Sequence, residues 1–415
     1  MSTDSAAWFR DAKYGLFVHW GLYSILAGEY NGIVTDRIAE WIENNLDIPV
    51  EEYRKLARRF DPKAFDADAF VRRARDDWGM KYIVLTAKHH EGFAMYDSAV
   101  SAFSVTRATP CGRDILMELR RACDRYGVRL GVYYSQAQDW DDPNGYMQYK
   151  DNSRKDFQKY FDEKCLPQVC ELLTNYAPLS LIWFDTPMSM TMAQSQALRD
   201  LVKVLQPDCL LSGRTGNGLG DYMTTGDNAL PRLPYDGDWE LPATVNDTWG
   251  YNRRDDRWKS PERIIATLIK VVSRGGNYLL NVGPTAEGLV PEPCVRTLDA
   301  VGRYVKANAE AIFGTRSAGL YPFEVPGIEM THKPHKLYVH VLESRVRVEL
   351  LNIGNAVTGA YLVEDRTPLD VRTYRTCEGD AMVEVELPPR LQARAHYCVC
   401  LETAEPEPVY EPIRK

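Results

Sequence analysis

Much of what narrows this chain is what it lacks. Its 415 residues hold no Lys/Arg-rich run and carry a net charge of −8, so the basic footprint of a nucleic-acid partner is absent. No apolar stretch approaches the ~20 residues of a membrane helix, and no membrane partner is expected. The opening MSTDSAAWFRDAKYG has no basic segment, apolar core or cleavage site. That predicts a cytoplasmic protein, or a secreted or periplasmic one if a leader has been removed. The nine cysteines are an odd number without a CxxC pair, so reduced core thiols are expected rather than a disulfide framework. Cys398 and Cys400, two apart in HYCVCLE, are expected to share one buried strand face.

Several chemistries are missing as well. No GxGxxG follows the first apolar run, which removes the usual dinucleotide site, and no cofactor is expected. No GxSxG nucleophile elbow occurs. Neither HxH nor HExxH is present, and no metal site is assigned. His332, His335 and His340 lie close in sequence and are expected as surface histidines near a linker.

What is present is alternation. Short apolar runs at 15–18, 82–86, 129–134, 179–184, 209–212, 244–246 and 278–281 suit parallel strands buried on both faces. Amphipathic stretches lie between them. Residues 66–78 place Phe70, Ala74 and Trp78 on one stripe, and 113–126 end at Gly127. Ser260-Pro261-Glu262 reads as a cap and first turn, and a last helix spans about 292–312. The expected fold class is α/β, a (β/α)8-like (TIM-type) barrel over residues 1–315. From Leu337/Val339/Val341 onward the period changes to two, predicting a small antiparallel β-sandwich over 316–402 and an exposed Pro/Glu-rich tail at 403–415.

In such a barrel the chemistry sits at the C-terminal ends of the strands. His19-Trp20 follow the first run, His89-His90-Glu91 the second, and Tyr133, Tyr134 and Asp139-Trp140 the third. Trp183-Phe184-Asp185 end the fourth run, Arg214 follows the fifth, Trp249 the sixth, and Asn281 ends the seventh. Of seven histidines only His19, His89 and His90 lie in the barrel segment, and all three fall at strand ends. His89 and His90 are adjacent, so on one strand they would point to opposite faces unless a bulge intervenes. A rim of His, Trp, Tyr, Asp and Glu suits sugar chemistry: flat apolar faces for a pyranose, polar groups for hydroxyls, and two carboxylates to cleave the bond.

Five motifs then carry a resemblance. FVHWG at 17–21, AKHHEGF at 87–93, YYS at 133–135, WFD at 183–185 and GNYLLNVGP at 276–284 resemble the α-L-fucosidases of glycoside hydrolase family 29, over roughly residues 8–315. The resemblance implies a retaining exo-acting hydrolase that releases terminal α-L-fucose from a fucosylated oligosaccharide or glycoconjugate. Asp185 would be the nucleophile and Glu240, in Trp239-Glu240, the general acid/base, with Asp236 and Asp238 as rivals. His19, Glu40, Trp41, His89 and His90 would bind the sugar. Tyr134 would sit by the nucleophile and Trp183 against the ring, with Phe17 or Trp249 forming the wall for the C6 methyl. Arg214 and Arg232 are the arginines available as a sugar contact. Two alternatives are a fucose-binding pseudoenzyme and a barrel hydrolase acting on a related sugar such as galactose. Natural glycan, linkage and oligomeric state stay open at this stage.

Overall fold

The computed structural model describes residues 4–319 and 325–412. Eight parallel strands form the first sheet: β1 (Tyr14–Val18), β2 (Tyr82–Lys88), β3 (Arg129–Ser135), β4 (Leu181–Asp185), β5 (Leu210–Leu211), β6 (Met223–Thr224), β7 (Trp239–Thr244) and β8 (Asn277–Val282). Their order is β5-β4-β3-β2-β1-β8-β7-β6, the cyclic order of a strand–helix barrel curled until its two short ends approach. The Asp221 amide donates to the Leu211 carbonyl at 2.8 Å, between those ends. Strands β1, β2, β4, β7 and β8 are buried at every residue, which is why all of them but β7 read as apolar runs. Close approach of β1 to β2 requires glycine at position 15, where a Cβ would stand 2.3 Å from the Tyr82 ring.

The helices that cover the sheet start and stop as local chemistry dictates. Asp66 caps Ala67–Asp76 by accepting from the Ala69 amide, and Asp114 caps Ile115–Tyr126 by accepting from Met117. Gly127, at φ 65°, ends the second of these. Ser260 caps Pro261–Ser273, with proline at the first position. Two strands depart from expectation. The sixth run was expected at 244–246, but β7 spans Trp239–Thr244, with Pro242 inside a central strand where its missing N–H is ordinarily selected against. Strand β6, two residues long, was not anticipated at all.

Beyond residue 315 lie a five-stranded and a three-stranded antiparallel sheet. Alternate residues such as Val339, Val341, Val348, Leu350, Val383, Val385, Val399 and Leu401 make their common core. Cys398 and Cys400 are buried on the other face with Tyr338 and Tyr361, against Ala311. The surface expectation fails for two histidines. His340 is fully buried with Nε2 3.0 Å from the Thr331 hydroxyl, and His332 is buried on the neighbouring strand. Both belong to strands of the five-stranded sheet, which the linker reading overlooked. The stretch after Thr403 runs along the β domain: Tyr410 bridges to Ile353, and its hydroxyl donates to the Ala318 carbonyl at 2.6 Å. Among the described residues no helix is long and apolar enough to cross a membrane.

Candidate active site

A cavity of about 130 Å³ opens among the strand C-termini, lined by Phe17, His19, Glu40, Trp41, His89, His90, Tyr133, Trp183, Asp185, Arg214, Asp227 and Trp249, with Ile38 and Thr186. That volume is close to the ~150 Å³ that holds a single six-membered ring.

Asp185 ends β4 and is held from three sides. The Tyr133 hydroxyl donates to Oδ2 at 2.9 Å, Arg214 Nη1 donates to Oδ1 at 2.9 Å, and His90 Nε2 stands 3.8 Å from Oδ2. Gln136 fixes the backbone beneath: its Oε1 accepts from the Asp185 amide at 2.8 Å and its Nε2 donates to the Arg214 carbonyl at 2.9 Å. Burial pushes the Asp185 pKa up, but the Arg214 charge, His90 and the hydrogen bonds outweigh it and hold the carboxyl below its usual range. The same Arg214 donates through Nη2 to Asp227, whose side chain is 46% exposed at the mouth. One guanidinium thus bridges two carboxylates, one deep and one at the entrance.

The histidines of the remaining lining are neutral. Burial lowers the pKa of His19 to about 3, of His90 to about 4 and of His89 well below its ordinary value, so all three are uncharged imidazoles at neutral pH. His19 Nδ1 lies 2.7 Å from Asn281 Oδ1 and His90 Nδ1 lies 2.6 Å from the Ser135 hydroxyl. The adjacent histidines share the pocket because the β2–β3 register slips between Thr86 and Lys88 and the chain leaves the strand before residue 89. Lys88 points away, buried in an ion pair with Asp139 at 2.8 Å. Glu40 Oε2 accepts from the Gly250 amide at 2.9 Å, while buried Oε1 and His89 Nδ1 have no hydrogen-bond partner among the described residues. Unsatisfied buried atoms facing a cavity suit hydroxyl recognition. Burial raises Glu40 to about 7, against hydrogen bonds that lower it. Trp41 meets His90 edge-on at 5.1 Å, and Trp249 tilts over His19 at 4.9 Å and meets Phe17 at 5.9 Å.

Three expectations need correcting. Tyr134 does not sit by Asp185: it faces the helices, donating to Gln168 Oε1 at 2.9 Å, while its neighbour Tyr133 faces the pocket. Successive strand residues alternate faces, and position 133 pairs with Trp183 on the inner side. Glu240 does not line the pocket. It sits near the start of β7, four residues and so about 13 Å below the rim, fully buried, accepting from the Tyr82 hydroxyl at 2.6 Å and from Trp183 Nε1 at 2.9 Å. The rivals are no nearer: Asp236 is exposed on the preceding loop, and Asp238 is paired with Arg10 at 2.8 Å. Arg232 lines a separate cavity of about 520 Å³ between Pro261–Ser273 and the β domain. Asp227 was missed. It follows a strand too short to read, although Gly226-Asp227-Asn228 does occupy a strand end.

A curled parallel sheet with carboxylates, neutral imidazoles and indoles at its C-terminal rim defines the class: a carbohydrate-cleaving barrel hydrolase. A model described as Alpha-L-fucosidase matches residues 1–310, and the chain belongs to that family. It is 31% identical over 332 residues to the tissue alpha-L-fucosidase of Bos taurus, covering 75% of this chain and 69% of the relative. The crystal structure of an alpha-L-fucosidase from Vibrio sp. strain EJY3 superposes with a TM-score of 0.92 at 32% identity, over 99% of this chain and 75% of that one. Alpha-L-fucosidase AlfC from Lactobacillus casei, in complex with alpha-L-fucose product, is 42% identical with a TM-score of 0.70, over 74% of this chain and all of that one.

Proposed function

We propose that this fucose-releasing glycoside hydrolase acts with retention on terminal α-L-fucose, with Asp185 as nucleophile and Asp227, in place of Glu240, as general acid/base. The observation that carries the reading is the pair of carboxylates bridged by Arg214 across a single-ring cavity. A retaining enzyme needs two carboxyls about 5–5.5 Å apart, and a shared guanidinium supports such proximity. The ionised, fully engaged Asp185 suits attack; the half-exposed Asp227 suits proton exchange at the mouth, where a leaving group departs.

In the first step an Asp185 oxygen attacks the anomeric carbon while the glycosidic C–O bond breaks and Asp227 gives its proton to the departing oxygen. In the second, Asp227 takes a proton from water, the water oxygen attacks the same carbon, and the Asp185 ester is released. Phe17 and Trp249 offer the apolar wall for the C6 methyl; Glu40 Oε1 and His89 Nδ1 await hydroxyls. The small volume favours exo-action on one residue.

Proton NMR of the first-formed product tests the mechanism. α-L-Fucose is expected; β-L-fucose would make the enzyme inverting and overturn the reading. A 2-fluoro-fucosyl fluoride soak is expected to leave an ester on Asp185. Aryl α-L-fucoside should exceed the matching galactoside, whose extra hydroxyl meets the Phe17–Trp249 wall, and the reverse preference would support the galactose alternative.

A further inference from the structure

We infer that Glu240 is a positioning residue for the nucleophile: its carboxylate anchors the Trp183 indole, and the two side chains that hold Asp185 rest on that indole. The inference depends on the reading of Asp185 given above.

Glu240 has no line to the sugar. It is 0% exposed on the barrel floor, where branched apolar residues are the ordinary filling. A carboxylate there carries a desolvation cost, so what it does for its partners matters. Both partners are donors: Tyr82 hydroxyl to Oε1 and Trp183 Nε1 to Oε2. A hydroxyl can reverse its role, but an indole N–H only donates. Without an acceptor at 240, the Trp183 N–H would be orphaned in the core.

Trp183 is the surface on which the catalytic constellation rests. The Arg214 guanidinium lies 4.8 Å over its ring, and Tyr133 stacks on it at 5.7 Å with an interplanar angle of 18°. These are the two residues that donate to Asp185. The torsion about the Cβ–Cγ bond of an indole has a broad well, and a hydrogen bond from Nε1, which lies off that axis, restricts the freedom. A relaxed indole displaces Arg214 and Tyr133 together, so the loss appears in turnover more than in substrate affinity.

The test uses the full chain and an aryl α-L-fucoside. Glu240→Met, similar in size but without an acceptor, should lower kcat/KM roughly 10- to 100-fold, mostly through kcat. Glu240→Gln can give its carbonyl to the indole and its amide to a reversed Tyr82 hydroxyl, and should recover to within about fivefold of wild type. In a Trp183→Phe background, which has no indole N–H, adding Glu240→Met should change kcat by less than about twofold. In protein labelled with ¹⁵N-tryptophan, the indole resonance absent from Trp183→Phe should shift in Glu240→Met and hold near its position in Glu240→Gln.

Additive losses in the double variant overturn the proposal. So does an inactive Glu240→Gln whose indole resonance is unmoved, an arm that needs no folded Met variant. Azide rescue of the Gln variant would make Glu240 the acid/base instead. Failure of wild type to turn over the fucoside would remove the underlying reading; normal wild-type turnover with additive variants removes only this inference.

Discussion

At the rim, Asp185 receives a guanidinium, a phenol and the edge of an imidazole, and its pKa stays below the ordinary carboxylate range in spite of burial. At the floor, Glu240 receives a phenol and an indole N–H, both neutral, and burial raises it to about 7 despite those bonds. Both carboxylates are buried, Glu240 bonded to the Trp183 indole and Asp185 held by the two side chains that pack on it. For these two groups the difference lies in the cation: Arg214 in direct contact holds Asp185 down, whereas the two neutral donors on Glu240 do not offset its burial. A nucleophile must be ionised at working pH; an anchor for an indole needs only an acceptor oxygen.

The sharpest break of this contrast is Asp185→Gly, which should lower kcat on the order of 10⁴-fold or more, with azide giving β-L-fucosyl azide; a mild loss, or no azide adduct, would remove Asp185 from its role. Next in size is Asp227→Asn. It should cost about 10²- to 10⁴-fold on a disaccharide, whose leaving group needs a proton, and far less on a dinitrophenyl fucoside. Equal losses on both substrates would argue against acid catalysis at 227. Arg214→Met, third, should cost about 10²-fold. It should also move the acid limb of the kcat/KM profile upward, because losing the cation raises the pKa of the group that must be ionised. An unmoved limb would show that Arg214 does not set it. Smallest is the strand-face pair: Tyr133→Phe should lower kcat by about tenfold, whereas Tyr134→Phe should leave kcat within about twofold and cost about 1 kcal/mol of stability from its bond to Gln168. Equal kinetic effects would contradict the opposed orientations of these neighbours.

How much of the site was legible follows the same geometry. His19, His89, His90, Trp183 and Asp185 end or follow short apolar runs, and the strand-end rule places them at one rim. Tyr133 and Tyr134 could not be separated, because a parity decision needs to know which face of β3 turns inward, and both residues are large aromatics found buried. Glu240 lies ahead of the apolar run at 244–246, so the run gives no sign that the strand has already begun there; in the fold β7 starts at Trp239, which puts the carboxylate at the opposite end of the barrel. Asp227 left almost no signal, since the two residues of β6 are pinned by pairing with β7 and not by a pattern of their own.

The sequence by itself determined the alternation, the rim histidines, the aspartate that ends β4, and the family resemblance, because runs of apolar residues and motif spacing are local properties of the chain. Only the tertiary structure decided which second carboxylate reaches the pocket, which tyrosine touches Asp185, and that one arginine joins Asp185 to Asp227. Those choices depend on strand register, on the end of the barrel at which a residue emerges, and on contacts between segments far apart in the chain.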